Sequence, residues 1–147
     1  MKRMMKIYSC LLLVCFLSCR ENHQPVQRFG SVTGIVPEKI ATYKSLHAKV
    51  WPDVLKMIGE CHIRNYSIYL KRINDNWYLF SYFEYTGKDF NADMEKMKAD
   101  STTQRWWRET APCQLPLPDA AAKGATWSDM EEVFHADQST SIVQSIQ

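Results

Sequence analysis

Residues 63–86, IRNYSIYLKRINDNWYLFSYFEYT, decide the fold of this chain. Two runs rich in aromatic and β-branched residues, 63–72 and 77–86, flank the tetrapeptide Ile73-Asn74-Asp75-Asn76. Asn and Asp tolerate the positive φ that tight turns require, so this pattern predicts a β-hairpin. The remaining elements of the fold must therefore pair with or pack against the two antiparallel strands of this hairpin.

The segment before the hairpin predicts a strand followed by an interrupted helix. Residues 28–36, RFGSVTGIV, are small and β-branched, and Pro37 then opens a segment with apolar and aromatic side chains at helical spacing. Proline is tolerated in the first turn of a helix. Pro52 lies inside the segment and removes a backbone donor, so we expect a kink or a restart near Trp51. Gly59 is expected to close the helix.

The segment after the hairpin predicts two helices, a loop and a final strand. Residues 89–99 place apolar side chains on one face, and residues 101–110 form a second short helix. Residues 111–119 read as a proline-marked loop, and residues 130–135, MEEVFH, as the last strand. The order β-α-β-β-α-β is that of an α+β, ferredoxin-like fold with a four-stranded antiparallel sheet and both helices on one face.

The opposite face of such a sheet needs a cover. The strands carry side chains that are too apolar to face water, and these are Tyr66, Ile68, Trp77, Leu79 and Phe83. We therefore expect a homodimer of the dimeric α/β-barrel type, in which the sheets of two copies pack face to face.

The N-terminus predicts an export segment. Three basic residues precede an apolar run from Leu11 to Leu17, which is too short for a membrane-spanning helix and is typical of a secretory signal. The tetrapeptide ending at Cys19 resembles a bacterial lipobox, although Phe16 departs from the usual Leu, so we expect a lipoprotein acylated on Cys19 and exported to the periplasm or cell surface. The expected division of the chain is a signal peptide at 1–19, a tether at 20–27, a domain at 28–137 and a flexible tail at 138–147.

Charge and cysteine content exclude several classes of protein. The export segment holds three of the 18 basic residues and none of the 16 acidic ones, so the net charge of +2 falls to −1 without it, and nothing points to a nucleic-acid partner. Only Cys61 and Cys113 lie in the domain, which is not a disulfide framework. No C-x-x-C or H-E-x-x-H occurs, so no metal site is expected.

Four motifs carry a resemblance to a known family. The segment 43–55 resembles the Y-x-x-x-H-x-x-x-W-P-x-[LV] pattern of L-rhamnose mutarotases, and residues 65–70, NYSIYL, are similar to that family's N-Y-x-I-Y/F-L strand. Residues 105–107 match its R-W-W motif, and residues 131–135 look like its closing E-V-F strand. The motifs occur in the family's order and span roughly residues 28–137. The resemblance implies the dimeric ferredoxin-like fold and interconversion of the α and β anomers of a deoxy-sugar.

The same resemblance implies roles for individual residues. It assigns proton donation to His47 and sugar contact to Tyr43, Tyr66, Trp106 and Trp107. From position alone, His47 and Tyr43 lie one helical turn apart on the same face, and the adjacent tryptophans point about 100° apart, so that one can stack on sugar while the other packs. Histidine suits mutarotation because its ordinary pKa leaves both protonation states accessible near neutral pH, and the reaction requires neither metal nor nucleotide.

Other residues and other functions remain open at this level. Arg105 is a lesser candidate for the site, Trp51 and Pro52 are assigned to shaping the helix, and His62 and His135 to structural or solvent-facing positions. The pocket could serve L-fucose or another 6-deoxy sugar, and the chain could also be a sugar-binding lipoprotein without catalysis. The family's members are cytoplasmic and lack a leader, so the export segment departs from the family pattern, and the protein is cytoplasmic if the leader is not used.

Overall fold

A computed structural model describes residues 25–136. The expected signal peptide, Cys19, most of the tether and the tail at 138–147 lie outside these described residues. The elements are β1 (Gln27–Ile35), a 3-10 turn (Pro37–Lys39), α1 (Ile40–Ala48), α2 (Pro52–Glu60), β2 (Ile63–Ile73), β3 (Asn76–Tyr85), α3 (Phe90–Ala99), α4 (Ser101–Thr110), a second 3-10 turn (Ala111–Cys113), β4 (Gln114–Leu115), α5 (Pro118–Ala121) and β5 (Ser128–Met130).

The strands form one antiparallel sheet in the order β2-β3-β1, with β4 and β5 both pairing with the free edge of β1. This is the predicted ferredoxin-like arrangement, with the fourth position divided between two short strands. The prediction of a final strand at residues 130–135 was wrong, because β5 ends at Met130 and residues 131–136 are not in a strand. The predicted loop at 111–119 also contains β4 and the first half of α5.

The hairpin is confirmed, and it contains an irregularity that the pattern did not reveal. Asn74 adopts a φ of 52° in the turn. The β2–β3 register shifts between Arg64 and Ser67, where Asn65 has a φ of 51°. An extra residue of this kind is a β-bulge, which bends a strand and turns a side chain toward a new direction. Here it leaves Tyr66 on the helix side of the sheet, edge-to-face with Phe83 at a centroid distance of 5.6 Å.

The helices begin where local chemistry predicts. The expected restart is present, since α1 ends at Ala48 and α2 begins at Pro52, a position whose missing N–H costs no helical hydrogen bond. Asp89 caps α3 by accepting from the backbone N–H of Ala92 at 3.0 Å, and Asp100 caps α4 by accepting from that of Thr103 at 2.7 Å. The Asp100 cap fixes the start of α4, the helix that carries the paired tryptophans.

Two separate clusters of buried side chains join the helices to the sheet. The first is Ile35, Tyr43, Leu79 and Cys113, with Ile68, Leu70, Trp77 and Trp127 among the side chains packed against it. The second is Cys61, Ile63, Tyr85 and Met97, with Phe83, Phe90 and Met94 among its neighbours. The clusters therefore contain four of the side chains that were expected on the uncovered face, namely Ile68, Trp77, Leu79 and Phe83. The prediction that these side chains face a second copy was wrong.

The uncovered face carries the alternate residues of the same strands. Phe80 of β3 lies between Tyr69 of β2 and Val32 of β1, and its neighbour Tyr78 pairs with Lys71. Tyr69 is 62% exposed. The face is thus aromatic, although its members differ from those that the sequence pattern indicated. Within residues 25–136, no helix is long and apolar enough to cross a membrane.

Candidate active site

A cavity of about 1060 Å³ lies between the sheet and the helices and is lined by residues of both core clusters. All five side chains that the sequence pattern assigned to the site line it. They come from three different elements, and they are Tyr43 and His47 of α1, Tyr66 of β2, and Trp106 and Trp107 of α4. The structure therefore brings together every predicted catalytic and sugar-binding residue.

His47 is held in one orientation by its own helix. Its Nδ1 lies 2.9 Å from the carbonyl oxygen of Tyr43, one turn earlier. A carbonyl oxygen only accepts, so Nδ1 carries the proton and donates it, which leaves Nε2 as the ring atom free to exchange protons. The imidazole also stacks on the Tyr43 ring at a centroid distance of 4.1 Å and meets the edge of Trp106 at 5.3 Å. Packing on two sides limits rotation of the ring.

The surroundings of His47 favour its neutral form. Partial burial lowers the pKa of His47 below its ordinary value of 6.5, and the hydrogen bond to the Tyr43 carbonyl opposes this shift only in part. At neutral pH, Nε2 therefore carries a lone pair and is ready to accept a proton. A base with a pKa slightly below the working pH also returns its proton readily.

Two tyrosine hydroxyls converge in the cavity. Tyr43 is 4% exposed, and its pKa is raised mainly by burial and further by the nearby Tyr66, while hydrogen bonding with the Gln114 side chain opposes the change. The pKa of Tyr66 is raised by burial around its hydroxyl, and hydrogen bonding with Ser81 opposes that shift, although 44% of the whole residue is exposed. Both hydroxyls thus stay protonated at neutral pH and can donate hydrogen bonds to a ligand.

The two adjacent tryptophans differ in exposure, as expected for side chains that point about 100° apart on a helix. Trp106 is 6% exposed and packs edge-to-face on Trp51 at 5.4 Å, whereas Trp107 is 41% exposed. Trp51 is in turn covered by the guanidinium of Arg105, whose central carbon lies 5.4 Å from the ring centroid. Trp51 and Arg105 therefore support Trp106 from behind, and Trp107 presents the more accessible indole.

The other histidines and cysteines of the described residues lie outside the cavity, and they are His62, His135, Cys61 and Cys113. His62 is more than half exposed, and its Nδ1 lies 2.8 Å from Asp93 Oδ2, which also accepts from the Tyr85 hydroxyl at 2.6 Å. This cluster raises the pKa of Tyr85 to about 12, mainly through burial and the hydrogen bond to Asp93. Cys61 and Cys113 are both free and buried. Across residues 25–136, no group of three or more His, Cys, Asp or Glu side chains is arranged to hold a metal ion.

Sequence reasoning missed three side chains of this region. Gln114 and Trp127 line the cavity, and the Ser81 side chain forms a hydrogen bond with the Tyr66 hydroxyl. Gln114 belongs to a two-residue strand inside the segment read as a loop, and Trp127 directly precedes β5. A hydroxyl in the middle of the apolar run WYLFSYF was the one visible signal for Ser81, since a buried strand rarely places a polar side chain there without a partner.

Comparison with known proteins agrees with this geometry. The family model described as L-rhamnose mutarotase matches residues 28–136. An L-rhamnose mutarotase of Oceanobacillus iheyensis is 28% identical over 112 residues, which cover 76% of this chain and all of the relative. One from Phocaeicola vulgatus is 30% identical over 95 residues, covering 65% of this chain and 84% of the relative.

A solved structure supports the fold independently of sequence. The crystal structure of an L-rhamnose mutarotase from Formosa agariphila superposes with a TM-score of 0.56 at 20% identity, covering 76% of this chain and 99% of the other. At that identity the likeness concerns the fold alone. Together with the family model, which spans nearly all of the described residues, these matches show that this chain belongs to the L-rhamnose mutarotase family.

Proposed function

We propose that this protein interconverts the α and β anomers of L-rhamnose by opening and reclosing the pyranose ring, with His47 as the proton carrier. The observation that carries the proposal is the fixed imidazole, whose Nδ1 is bonded to the Tyr43 carbonyl inside a cavity lined by two tyrosines and two tryptophans. Membership of the family supplies the sugar, since the relatives that match are L-rhamnose mutarotases.

The reaction moves one proton between two oxygens bonded to the same carbon. In ring opening, the C1–O5 bond breaks, the C1=O1 double bond forms, a proton leaves O1 and a proton arrives at O5. Neutral Nε2 of His47 accepts the proton from O1, and the imidazolium then delivers it to O5. Rotation about C1–C2 turns the aldehyde, and the reverse steps close the ring on the other face.

The neighbouring hydroxyls and indoles serve binding in this scheme. Tyr43 and Tyr66 remain protonated and donate hydrogen bonds to sugar oxygens. One of these oxygens is O5, where such a hydrogen bond stabilises the negative charge that develops as the ring opens. The more accessible indole of Trp107 offers a flat surface for the apolar side of the ring, and Trp106 shapes the pocket beside His47. One positioned proton carrier of this kind accelerates a reaction by about 10²–10⁴-fold.

Saturation-transfer NMR with purified residues 20–147 tests the activity. The exchange rate between the two anomeric proton signals of L-rhamnose should rise with wild-type protein and return nearly to the uncatalysed rate with His47→Ala. Parallel runs with L-fucose, D-galactose and D-glucose identify the preferred sugar. Binding of L-rhamnose without faster exchange would refute catalysis and support a sugar-binding protein instead.

The uncovered sheet face supports a homodimer as part of the proposal. Tyr69, Tyr78 and Phe80 form an aromatic patch there, and Val133 and Phe134 at the end of the described chain are 91% and 83% exposed. A second copy presents the same patch, so a two-fold axis would bury both at once. Sedimentation equilibrium should give a dimer for the wild type and a monomer for Tyr69→Lys. A monomeric wild type at micromolar concentration would refute the pairing.

The export segment supports a separate proposal about location. The basic and apolar residues at 2–17 followed by Cys19 fit a lipoprotein signal, and lipid on Cys19 would attach the domain to a membrane surface through the tether. Full-length protein expressed in bacteria should partition into the detergent phase of a Triton X-114 extract, and Cys19→Ala should not. Equal partitioning of the two proteins would refute lipidation at this residue.

A further inference from the structure

A second cavity adjoins the candidate active site. It measures about 490 Å³ and shares Tyr66, Phe83 and Trp127 with the larger cavity. The two spaces therefore adjoin at these three side chains. Both lie on the helix side of the sheet, and the second one reaches the edge where β5 pairs with β1.

The second cavity has the chemistry of a carbohydrate subsite. Ser31 and Ser81 are directly paired on β1 and β3, and Asp129 of β5 pairs with Ser31 from the other side. Two hydroxyls and a carboxylate thus form a polar row along one side. Aromatic side chains supply the apolar part of the lining. Phe29 is stacked between Phe83 at 4.9 Å and Phe90 at 4.4 Å and so presents its edge, and Trp127 adds an indole at the boundary with the first cavity. Aromatic side chains beside a few hydrogen-bonding groups are a common lining for sites that bind pyranose rings.

The size of the combined space exceeds what one hexose ring requires. Pockets that enclose drug-sized ligands measure about 300–1,000 Å³, and the first cavity alone reaches about 1060 Å³. The proposed proton carrier His47 and its neighbour Tyr43 line the first cavity and not the second. A ring bound there leaves the side beyond Tyr66 and Trp127 available.

We propose that the second cavity is a subsite for a second pyranose ring, so that the protein also acts on reducing oligosaccharides that end in L-rhamnose. This inference rests on the proposed function. Mutarotation requires a free anomeric hydroxyl on the terminal ring only, and a glycosidic bond through a hydroxyl remote from C1 is neither formed nor broken. The first ring places C1 and O5 at His47 while the second contacts Asp129 and Ser31.

The test compares a disaccharide with the monosaccharide. The probe is α-L-rhamnosyl-(1→3)-L-rhamnose, whose reducing-end anomeric signals are followed by saturation-transfer NMR beside those of free L-rhamnose. We expect wild-type protein to accelerate both exchanges. Acceleration of L-rhamnose alone would overturn the subsite and leave the proposed function intact, whereas acceleration of neither sugar would overturn both.

Variants of the second cavity separate its role from that of the first. Asp129→Ala and Ser31→Val should each lower kcat/KM for the disaccharide several-fold, mainly through KM, and leave the L-rhamnose rate within about twofold. The retained L-rhamnose rate also shows that the variant is folded. Asp75→Ala, a matched change in the exposed hairpin turn, should alter neither rate. An equal fall for both sugars, or no fall for either, would overturn the subsite.

Discussion

Replacement of His47 by Asn separates proton transfer at Nε2 from the structural bond made by Nδ1. The amide nitrogen of Asn can occupy a position close to that of Nδ1 and donate to the Tyr43 carbonyl, which is 2.9 Å from Nδ1 in the wild type. The variant lacks any group corresponding to Nε2. It therefore keeps the hydrogen bond of α1 and loses the titrating atom.

The expected magnitudes follow from these contacts. Loss of one positioned proton carrier lowers the rate by about 10²–10⁴-fold, which corresponds to roughly 3–5.5 kcal/mol of activation free energy. The folded state keeps the bond to Tyr43 and loses part of the ring stacking at 4.1 Å, so the free energy of unfolding should fall by only about 1 kcal/mol. Activity and stability should thus respond very differently to the same substitution.

The assay measures anomeric exchange of L-rhamnose by NMR and unfolding by urea for the same preparations. His62→Asn is the matched control, because His62 lies outside the cavity and has a φ of 56°, a conformation that Asn tolerates. The control should retain the wild-type exchange rate. An exchange rate for His47→Asn within tenfold of the wild type would refute His47 as the proton carrier.

Three further predictions follow from individual charges. kcat/KM for L-rhamnose should fall on acidification with a midpoint below pH 6.5, since burial lowers the pKa of His47 and the neutral ring accepts the first proton. A rise on acidification, after subtraction of the uncatalysed rate, would contradict this order. Asp93→Asn should lower the free energy of unfolding in urea by about 1–3 kcal/mol, because the buried Tyr85 hydroxyl loses a charged acceptor. The hydrogen bond from Tyr85 is the chief cause that lowers the pKa of Asp93 below 3.8. The stabilising effect of the Asp93 carboxylate is therefore present above pH 3.8 and is lost as the pH falls through the folded-state pKa. An Asp93→Asn variant as stable as the wild type at neutral pH would refute this prediction. Asp100→Ala should cost about 1 kcal/mol of thermal stability through loss of the α4 cap, measured by calorimetry, and an unchanged melting temperature would show that another group caps the helix.

Local patterns predicted the secondary structure well because each element contains its own signal. The Asn-Asp turn and the proline restart at α2 act over a few residues and need no knowledge of the rest of the chain. The last strand lacked such a signal. Residues 131–135 do not alternate apolar and polar side chains, and Val133 and Phe134 are largely exposed. The short segment at 128–130 is a strand because the free edge of β1 pairs with it.

The faces of the sheet show where sequence alone reaches its limit. Alternation separates Leu79 and Phe83 from Tyr78 and Phe80, but both sets are apolar, and nothing in the strand says which set meets the helices. The bulge at Asn65 adds a further ambiguity, because an extra residue reverses the side on which Tyr66 lies. The resemblance to family motifs nonetheless selected five side chains that line one cavity, a placement that strand and helix patterns alone do not reveal.

The cavity itself exists because the centre of the sheet–helix interface is built from small and polar side chains. Thr103 and Thr110 of α4 are buried there, and Ala111, Ala125 and Thr126 line the same space, while bulky side chains fill the two flanking clusters. A larger aliphatic residue at a lining position such as Thr103 would fill part of the cavity and bury more apolar surface, at about 25 cal/mol for each Å² removed from water. The fold forgoes that packing where His47, Tyr43 and the indoles converge, which is expected if a ligand rather than a side chain completes the interface.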